Sequence, residues 1–460
     1  MTSPGKDAPR TKSTRLSAMG RALAHRNFRL FTIGQGISLV GTWMQQIATI
    51  WLVYRLSRSS FLLGLADFSS QIPAALILPV AGVLTDRWNR HHTVLATQTL
   101  AMVQALVLMV LTLTGVVSVW QILLLGVLLG LVNAFDVTAR QSLVIDLVER
   151  HDDLANAVAI NSSMFNAARL IGPAVAGCVI GLCGEWPCFL LNSLSYVAVL
   201  GSLAAMRVRP VARPVSKLGI VEGFSEGFEY VAGSMPIRTL LLLLGTVSMM
   251  AAPLMVLMPV LATEVLHGGP HTLGLLTAAL GLGALAASLF LAARKSVVGL
   301  SKVIALATAA FGLGLAGLSL CHTLGAALVI LALTGFAMVA QMAASNAVLQ
   351  TIVDEGKRGR VMSFYTMAFF GMGPLGSLLS GWLAGTLGVA AVFLICGTAC
   401  VAGSLVFAAL LPALRRAIRP IYARVGILPQ TAAAASLPGR RVDGPAGLKA
   451  AHLDTPVSRT

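Results

Sequence analysis

Residues 93–114 hold no charged side chain, and residues 61–81 hold one, Asp67. Uncharged stretches of this kind recur along the whole chain of 460 residues. About 20 predominantly apolar residues in helical form cross the hydrocarbon core of a bilayer. With 57% hydrophobic and only 11% charged residues, a soluble fold would expose too much apolar surface. In lipid every backbone polar group must be satisfied internally, which leaves helices and closed barrels. A barrel is written in short alternating segments, which this chain lacks. The predicted fold is therefore an all-α polytopic membrane protein.

Twelve spans are predicted, at about 28–54, 61–84, 93–114, 119–139, 155–183, 187–206, 237–263, 272–293, 300–320, 324–348, 360–387 and 388–411. Spans 11 and 12 are nearly continuous and turn at Gly385 to Gly388. The net charge of +16 points to lipid headgroups rather than nucleic acid, because of where the bases lie. Thirty of the 33 Lys and Arg fall in 1–29, 87–90, 140–150, 207–238, 294–302, 357–360 and 415–459, the tails and alternate loops. The other loops carry only Arg55 and Arg58, and Arg169 lies inside a span. Positive loops face the cytoplasm, so both termini are expected inside. The N-terminus has no apolar core of a signal peptide. The six Cys lie in or beside apolar segments without metal spacing. Cys183 and Cys188 flank a short loop and read as a disulfide or, preferably, as two thiols. No cofactor or metal is expected.

The chain divides into a tail at 1–27, a six-helix half at 28–206, a linker at 207–236, a second half at 237–411 and a tail at 412–460. The linker is Pro-rich and basic, then amphipathic: Ile220, Phe224, Phe228 and Val231 share one helical face, with Glu222, Glu226 and Glu229 elsewhere. It reads as a surface helix along the inner leaflet. The halves echo each other. Leu63-Gly64-Leu65 recurs as Leu273-Gly274-Leu275, and Gly172-Pro173 in span 5 recurs as Gly373-Pro374 in span 11. Gln141 to Asp146 and Gln350 to Asp354 share a Gln-x-x-Val with an acid close behind. Internal repeats of this sort belong to transporters that bind near the midplane between the halves.

Between spans 2 and 3 stands Gly82-Val-Leu-Thr-Asp86-Arg87-Trp-Asn-Arg90-His-His, a tight charged turn between apolar runs. It resembles the signature loop of the major facilitator superfamily. Three further stretches resemble one branch of it, the enterobactin-exporter-like and macrolide-efflux-like proton antiporters. They are Asn133-Ala-Phe-Asp-Val-Thr-Ala-Arg-Gln141, Asn161-Ser-Ser-Met-Phe-Asn-Ala-Ala-Arg-Leu-Ile-Gly-Pro173 and Arg358-Gly-Arg-Val-Met-Ser-Phe-Tyr-Thr-Met-Ala-Phe369. The resemblance covers roughly residues 25–425. It departs from the pattern at Asn89, where a second Gly is usual, and at His91, where a base is usual. Asn tolerates left-handed backbone angles, so a turn is expected to survive there. The matching loop of the second half, Ala293-Arg-Lys-Ser-Val-Val-Gly299, lacks the acid, so a gate built from this motif is one-sided.

Several residues are candidates for function. The resemblance implies a conformational latch in which Asp86 faces the start of span 11 at Arg360. Arg87 or Arg90 then pairs with Asp136, and Asp136 with Arg140 at i, i+4. The alternative is a topology signal with solvated loop charges. Arg169, about 14 residues into span 5, is the deepest base, and a charge there is costly. It needs a buried acid, or faces water, or forms a structural ion pair. Asp67 is the acid placed well inside a span, a candidate for binding a proton or a cationic substrate, or else a polar outer-gate residue. Gly172, Pro173 and Gly177 resemble the helix-5 motif of facilitator antiporters, and ordinary packing is the plainer reading. The family fold implies a cavity lined by spans 1, 4, 7 and 10. Candidates there are Gln35, Trp43, Gln45, Gln46, Met249, Met250, Met255, Gln341, Met342 and Asn346, set against interhelical hydrogen bonding and packing.

No ATP-binding G-x-x-x-x-G-K-[ST] loop, catalytic triad or metal cluster is visible, so the energy source is an ion gradient and no enzyme activity is expected. The expectation is a monomeric secondary transporter of a bacterial inner or plasma membrane. It exports a drug-like or siderophore-like small molecule by proton antiport, with protons and membrane lipids as its other partners. The alternatives are an importer, a passive exchanger, or a non-transporting membrane scaffold.

Overall fold

The computed structural model describes residues 21–147, 153–206, 220–294, 296–424 and 427, and these are helical with no strand. A 3-10 turn at Arg21–Ala24 leads into α1 (Arg26–Ser57), α2 (Ser60–Arg87), α3 (Arg90–Leu113), α4 (Val119–Leu147), α5 (Leu154–Cys183) and α6 (Trp186–Ala204). The short α7 (Ile220–Gly233) precedes α8 (Met235–Ala251), α9 (Pro270–Ala293), α10 (Leu300–Ser319), α11 (Leu324–Ile352), α12 (Arg358–Leu387) and α13 (Val389–Arg424). Among the described residues, eleven helices are long and apolar enough to cross a membrane. The twelfth is α1, 32 residues long with Gln35, Gln45 and Gln46 in its body.

The twelve long helices form two six-helix bundles. In the first, α1 packs on α5 and α6, α2 on α4, and α3 on α4 and α6. In the second, α8 packs on α12 and α13, α9 on α11, and α10 on α11 and α13. The same pairs recur in the same order, which is a pseudo-twofold arrangement. The bundles meet along two flanks that this symmetry exchanges, α2 against α12 and α5 against α9.

The repeated motifs are the crossing points. A methyl group added to Gly64 would stand 2.4 Å from the Ser377 carbonyl oxygen, and one on Gly381 2.6 Å from that of Ser60. A methyl group on Gly274 would stand 2.8 Å from both the Gly177 Cα and the Pro173 oxygen. Each Leu-Gly-Leu therefore crosses the Gly-Pro helix of the other half. Small residues let membrane helices approach backbone to backbone.

Three local features differ from the sequence-based expectation. Span 7 is not one helix: after α8 it breaks into Pro253–Val256, Met258–Val260 and a π-helical turn, Leu261–Val265. Pro253 and Pro259 sit at the first or second positions of the new segments, where a missing N–H costs little. Span 12 runs past residue 411 to Arg424, because Leu414, Ile418 and Tyr422 form a buried stripe at helical spacing. Asn89 is extended (φ −71°), not left-handed; its side chain caps α3 by accepting from the His91 and His92 backbone N–H. As preferred from the sequence, Cys183 and Cys188 are free thiols, and so are the other four cysteines. The turn into α13 falls at Gly388, whose φ of 83° suits a residue without Cβ.

Candidate substrate pathway and coupling site

The hydrophobic core shows where the halves are joined. One cluster runs through both bundles, from Met44, Trp51, Leu63 and Phe189 to Leu254, Leu276, Phe311 and Phe393. It lies toward the end that carries the α1–α2, α5–α6 and α12–α13 turns. Toward the opposite end the core divides. Phe28, Phe31, Leu143 and Leu203 pack within the first bundle, and Ile237, Leu349, Val361 and Leu414 within the second. The molecule is therefore closed at one end, with a cleft between the halves that opens at the other.

Polar ties reinforce the closed end. The Tyr54 hydroxyl donates to Glu264 Oε1 across the halves at 2.7 Å, and Thr263 Oγ1 donates to Tyr54 Oη at 3.0 Å. The Arg58 guanidinium lies 5.3 Å from the Tyr54 ring centroid. Within the first half, Arg55 makes a two-point pair with the buried Glu185 at 2.7 and 3.2 Å. The sequence does single out Arg55 and Arg58 as rare bases in these loops, but nothing in it marks Tyr54 or Glu264 as a pair.

Asp67 lies on α2 one turn beyond Gly64, so it faces the same crossing. Its Oδ2 accepts from Gln71 Nε2 at 2.6 Å and from the Ser377 hydroxyl of α12. The carboxyl of one half is thus held by a hydroxyl of the other. Ser377 was not visible as a functional residue in the sequence, since serine is common in membrane helices.

Arg169 sits midway along the 30-residue α5. Its guanidinium lies over the Trp43 ring of α1, 5.6 Å from the centroid. Its Nε is buried without a hydrogen-bond partner. Among the described residues it forms no ion pair, and Asp67 is held by Gln71 and Ser377 instead. Gly172, one turn on, makes room for α1: a methyl group there would stand 2.5 Å from Trp43 Cβ.

The proposed latch residues are spread over two places. Asp136 is 4% exposed and accepts from Thr97 Oγ1 (2.9 Å) and Gln98 Nε2 (2.8 Å), and pairs with Arg140 at 3.2 Å. Trp88 stacks on Phe135 beside it, with centroids 5.8 Å apart. Arg87 is exposed. The Asp86 side chain lies outside the described residues. Arg360, at the start of α12, is paired with Glu226 of α7. The α7 helix is docked on α12 through that pair, through Phe228 and Phe364 with centroids 6.4 Å apart, and through Gly227 against Phe364. Tyr230 of α7 donates to Asp354, and Lys357 lies 4.6 Å from its ring centroid. Partial burial, and then the Asp354 charge, hold the Tyr230 phenol above its ordinary pKa.

Asp136→Ala would leave Arg140, Thr97 and Gln98 without their acceptor. Removing one partner of a buried ion pair costs about 3–5 kcal/mol. The expected result is a clearly lowered melting temperature in detergent. A melting curve like that of the wild type would show that Asp136 contributes little to the fold.

The cavity candidates separate by burial. Gln45 is buried among its own bundle, donating to Gln104 Oε1 at 2.9 Å and accepting from Asn192 at 2.8 Å. Gln35 and Gln341 are also buried, each with an unpartnered Oε1. Met250, Met255 and Met342 pack against the shared core at the closed end. Trp43, Gln46 and Met249 are partly exposed. Asn346 lines a recess of about 540 Å³ with Ala343, Gln350 and Arg358.

A sequence model of the transmembrane secretion effector family of major facilitator proteins matches residues 18–421. The chain belongs to this family of membrane transporters. It is 26% identical over 372 residues to the staphyloferrin A transporter of Staphylococcus aureus, covering 80% of this chain and 92% of that protein. It is 28% identical over 394 residues to the multidrug efflux pump Tap of Mycobacterium tuberculosis, covering 83% and 91%. The solved nucleoside transporter NupG superposes with a TM-score of 0.65 at 14% identity, covering 84% of this chain and 99% of that one, a likeness of fold.

Proposed function

We propose that the protein exports a small molecule by alternating access, with proton entry as the driving force. The observation that carries this reading is the place of Asp67. It is a carboxyl group within a membrane helix, bonded to Ser377 of the other half at the crossing that must part when the closed end opens. Parting that crossing removes a hydroxyl donor and changes the solvent around the carboxyl. Its proton affinity then differs between the two states, and a ligand shifts an equilibrium only by such a difference. The closed end is taken to face outward, because the opposite loops carry the bases. On this reading the protein lies in a bacterial inner or plasma membrane as a monomer, with both termini in the cytoplasm. A drug-like or siderophore-like small-molecule cargo is in keeping with relatives named as a staphyloferrin A transporter and a multidrug efflux pump.

Gly177, on the same helix as Gly172-Pro173, would hold the outer crossing tight against Gly274 of α9. The latch of Asp86, Arg87, Arg90 and Arg360, set beside the Asp136–Arg140 pair that is already made, would form when the cleft closes inward and the outer end opens. In that state Arg360 exchanges Glu226 for Asp86.

The test begins with a strain lacking the protein, screened for compounds that it over-accumulates with and without an uncoupler. A compound so found is then followed in proteoliposomes. Export coupled to protons predicts that net flux reverses when the imposed pH gradient is inverted. Flux indifferent to the gradient would replace this reading with passive exchange, and no flux for any compound would favour a scaffold.

A further inference from the structure

We infer that Arg169 and Trp43 form a binding point for an anionic group of the cargo. The cargo is then an amphiphile carrying a carboxylate, sulfonate or phosphate beside an aromatic or apolar body. The inference rests on the transport reading only in taking the bound molecule to be what is carried.

A guanidinium offers five N–H donors in a planar fork and cannot be silenced by deprotonation. Midway along a membrane helix such a group is costly unless something offsets its charge. The offset within the chain is small. Trp43 supplies a ring face at 5.6 Å, and Nε is left buried without an acceptor. The acid well inside another span is engaged elsewhere, since Asp67 is held by Gln71 and Ser377 at the α2–α12 crossing. A structural ion pair would have shown a carboxylate at Arg169, and the described residues supply none.

The position is built firmly and lies on the pathway. Gly172 lets α1 close on α5 at Trp43, and a methyl group on Gly281 of α9 would stand 2.8 Å from the Arg169 carbonyl oxygen. Arg169 is therefore fixed where α1, α5 and α9 converge, at the seam between the two halves. Phe165, one turn toward the open end, meets Trp43 edge to face at 5.7 Å and is 45% exposed. Its ring offers an apolar step beside the cation. A cation stacked on an aromatic face keeps its edge N–H groups free, and those are the groups that bind carboxylates two-point. A cationic cargo would meet repulsion at this point.

The test is equilibrium binding to the full chain in lipid nanodiscs, read by fluorescence anisotropy. Two probes share a xanthene core: carboxyfluorescein, an anion, and tetramethylrhodamine methyl ester, a cation. Carboxyfluorescein is expected to bind saturably and more tightly than the cation. Arg169→Gln should weaken it by about tenfold or more, Arg169→Lys by less, and Trp43→Ala more than Trp43→Phe. Absence of saturable binding, equal affinity in Arg169→Gln, or preference for the cation would each overturn the inference. If Arg169→Gln does not fold, the wild type is treated with phenylglyoxal and mapped by mass spectrometry. Carboxyfluorescein should then protect Arg169, and lack of protection overturns the inference. No gradient is applied, so failure here leaves proton-driven export standing with a neutral or cationic cargo.

Discussion

Gly274→Leu is expected to hold the closed end apart and to cut gradient-driven flux strongly, with both bundles still folded. The reason is the identity of what the new side chain meets. The nearest atoms are the Gly177 Cα and the Pro173 carbonyl oxygen, both 2.8 Å from the first added carbon. These are backbone atoms of the other half, so no side-chain rotation can relieve the contact. Separating two rigid bundles is the available relief, and overpacking of this kind costs about 1–3 kcal/mol. A difference of that size moves a two-state population by roughly 5–150-fold. Gly181→Leu on α5 is the control, because a side chain there meets nothing within 4 Å. The measurement is labelling of a Thr263→Cys reporter by a membrane-impermeant maleimide, together with flux. Labelling and flux unchanged from the parent would mean that this crossing does not limit the closed state.

Asp67→Asn is the second large effect, a loss of uphill transport with downhill exchange retained. The substitution is nearly isosteric, and the amide oxygen can still accept from Gln71 and Ser377. The closed crossing should therefore survive, and only the charge and its titration are lost. Coupling free energies between two ligands of one transporter are about 1–3 kcal/mol, so the gradient-driven flux should fall by at least that equivalent. The pH dependence of transport should flatten along with it. Full concentrative export by the variant would remove Asp67 from the coupling step.

Much of this was legible because span length and charge placement are local properties. Uncharged runs mark membrane helices wherever they pack, so the helix count and the two halves could be read without a partner in view. Asp67 and Arg169 stood out for the same reason, as rare charges inside apolar runs. Their surroundings were not legible. Gln45 and Trp43 lie two residues apart on α1, yet Gln45 is buried in a network with Gln104 and Asn192 while Trp43 meets Arg169. A polar residue in a membrane helix serves a packing network or a cavity equally well, and only the neighbouring helices decide which. The capping role of Asn89 and the extra turns of α13 depend in the same way on contacts beyond the local sequence.

The two Leu-Gly-Leu repeats mark the division. The sequence by itself determined that the chain spans a membrane as two related halves, because hydrophobic length and repetition are written along the chain. Only the tertiary structure decided that each repeat crosses the Gly-Pro helix of the other half, and that Asp67 meets Ser377, 310 residues away. Those contacts arise from the docking of one bundle on the other, where backbones approach closely enough that only glycine fits.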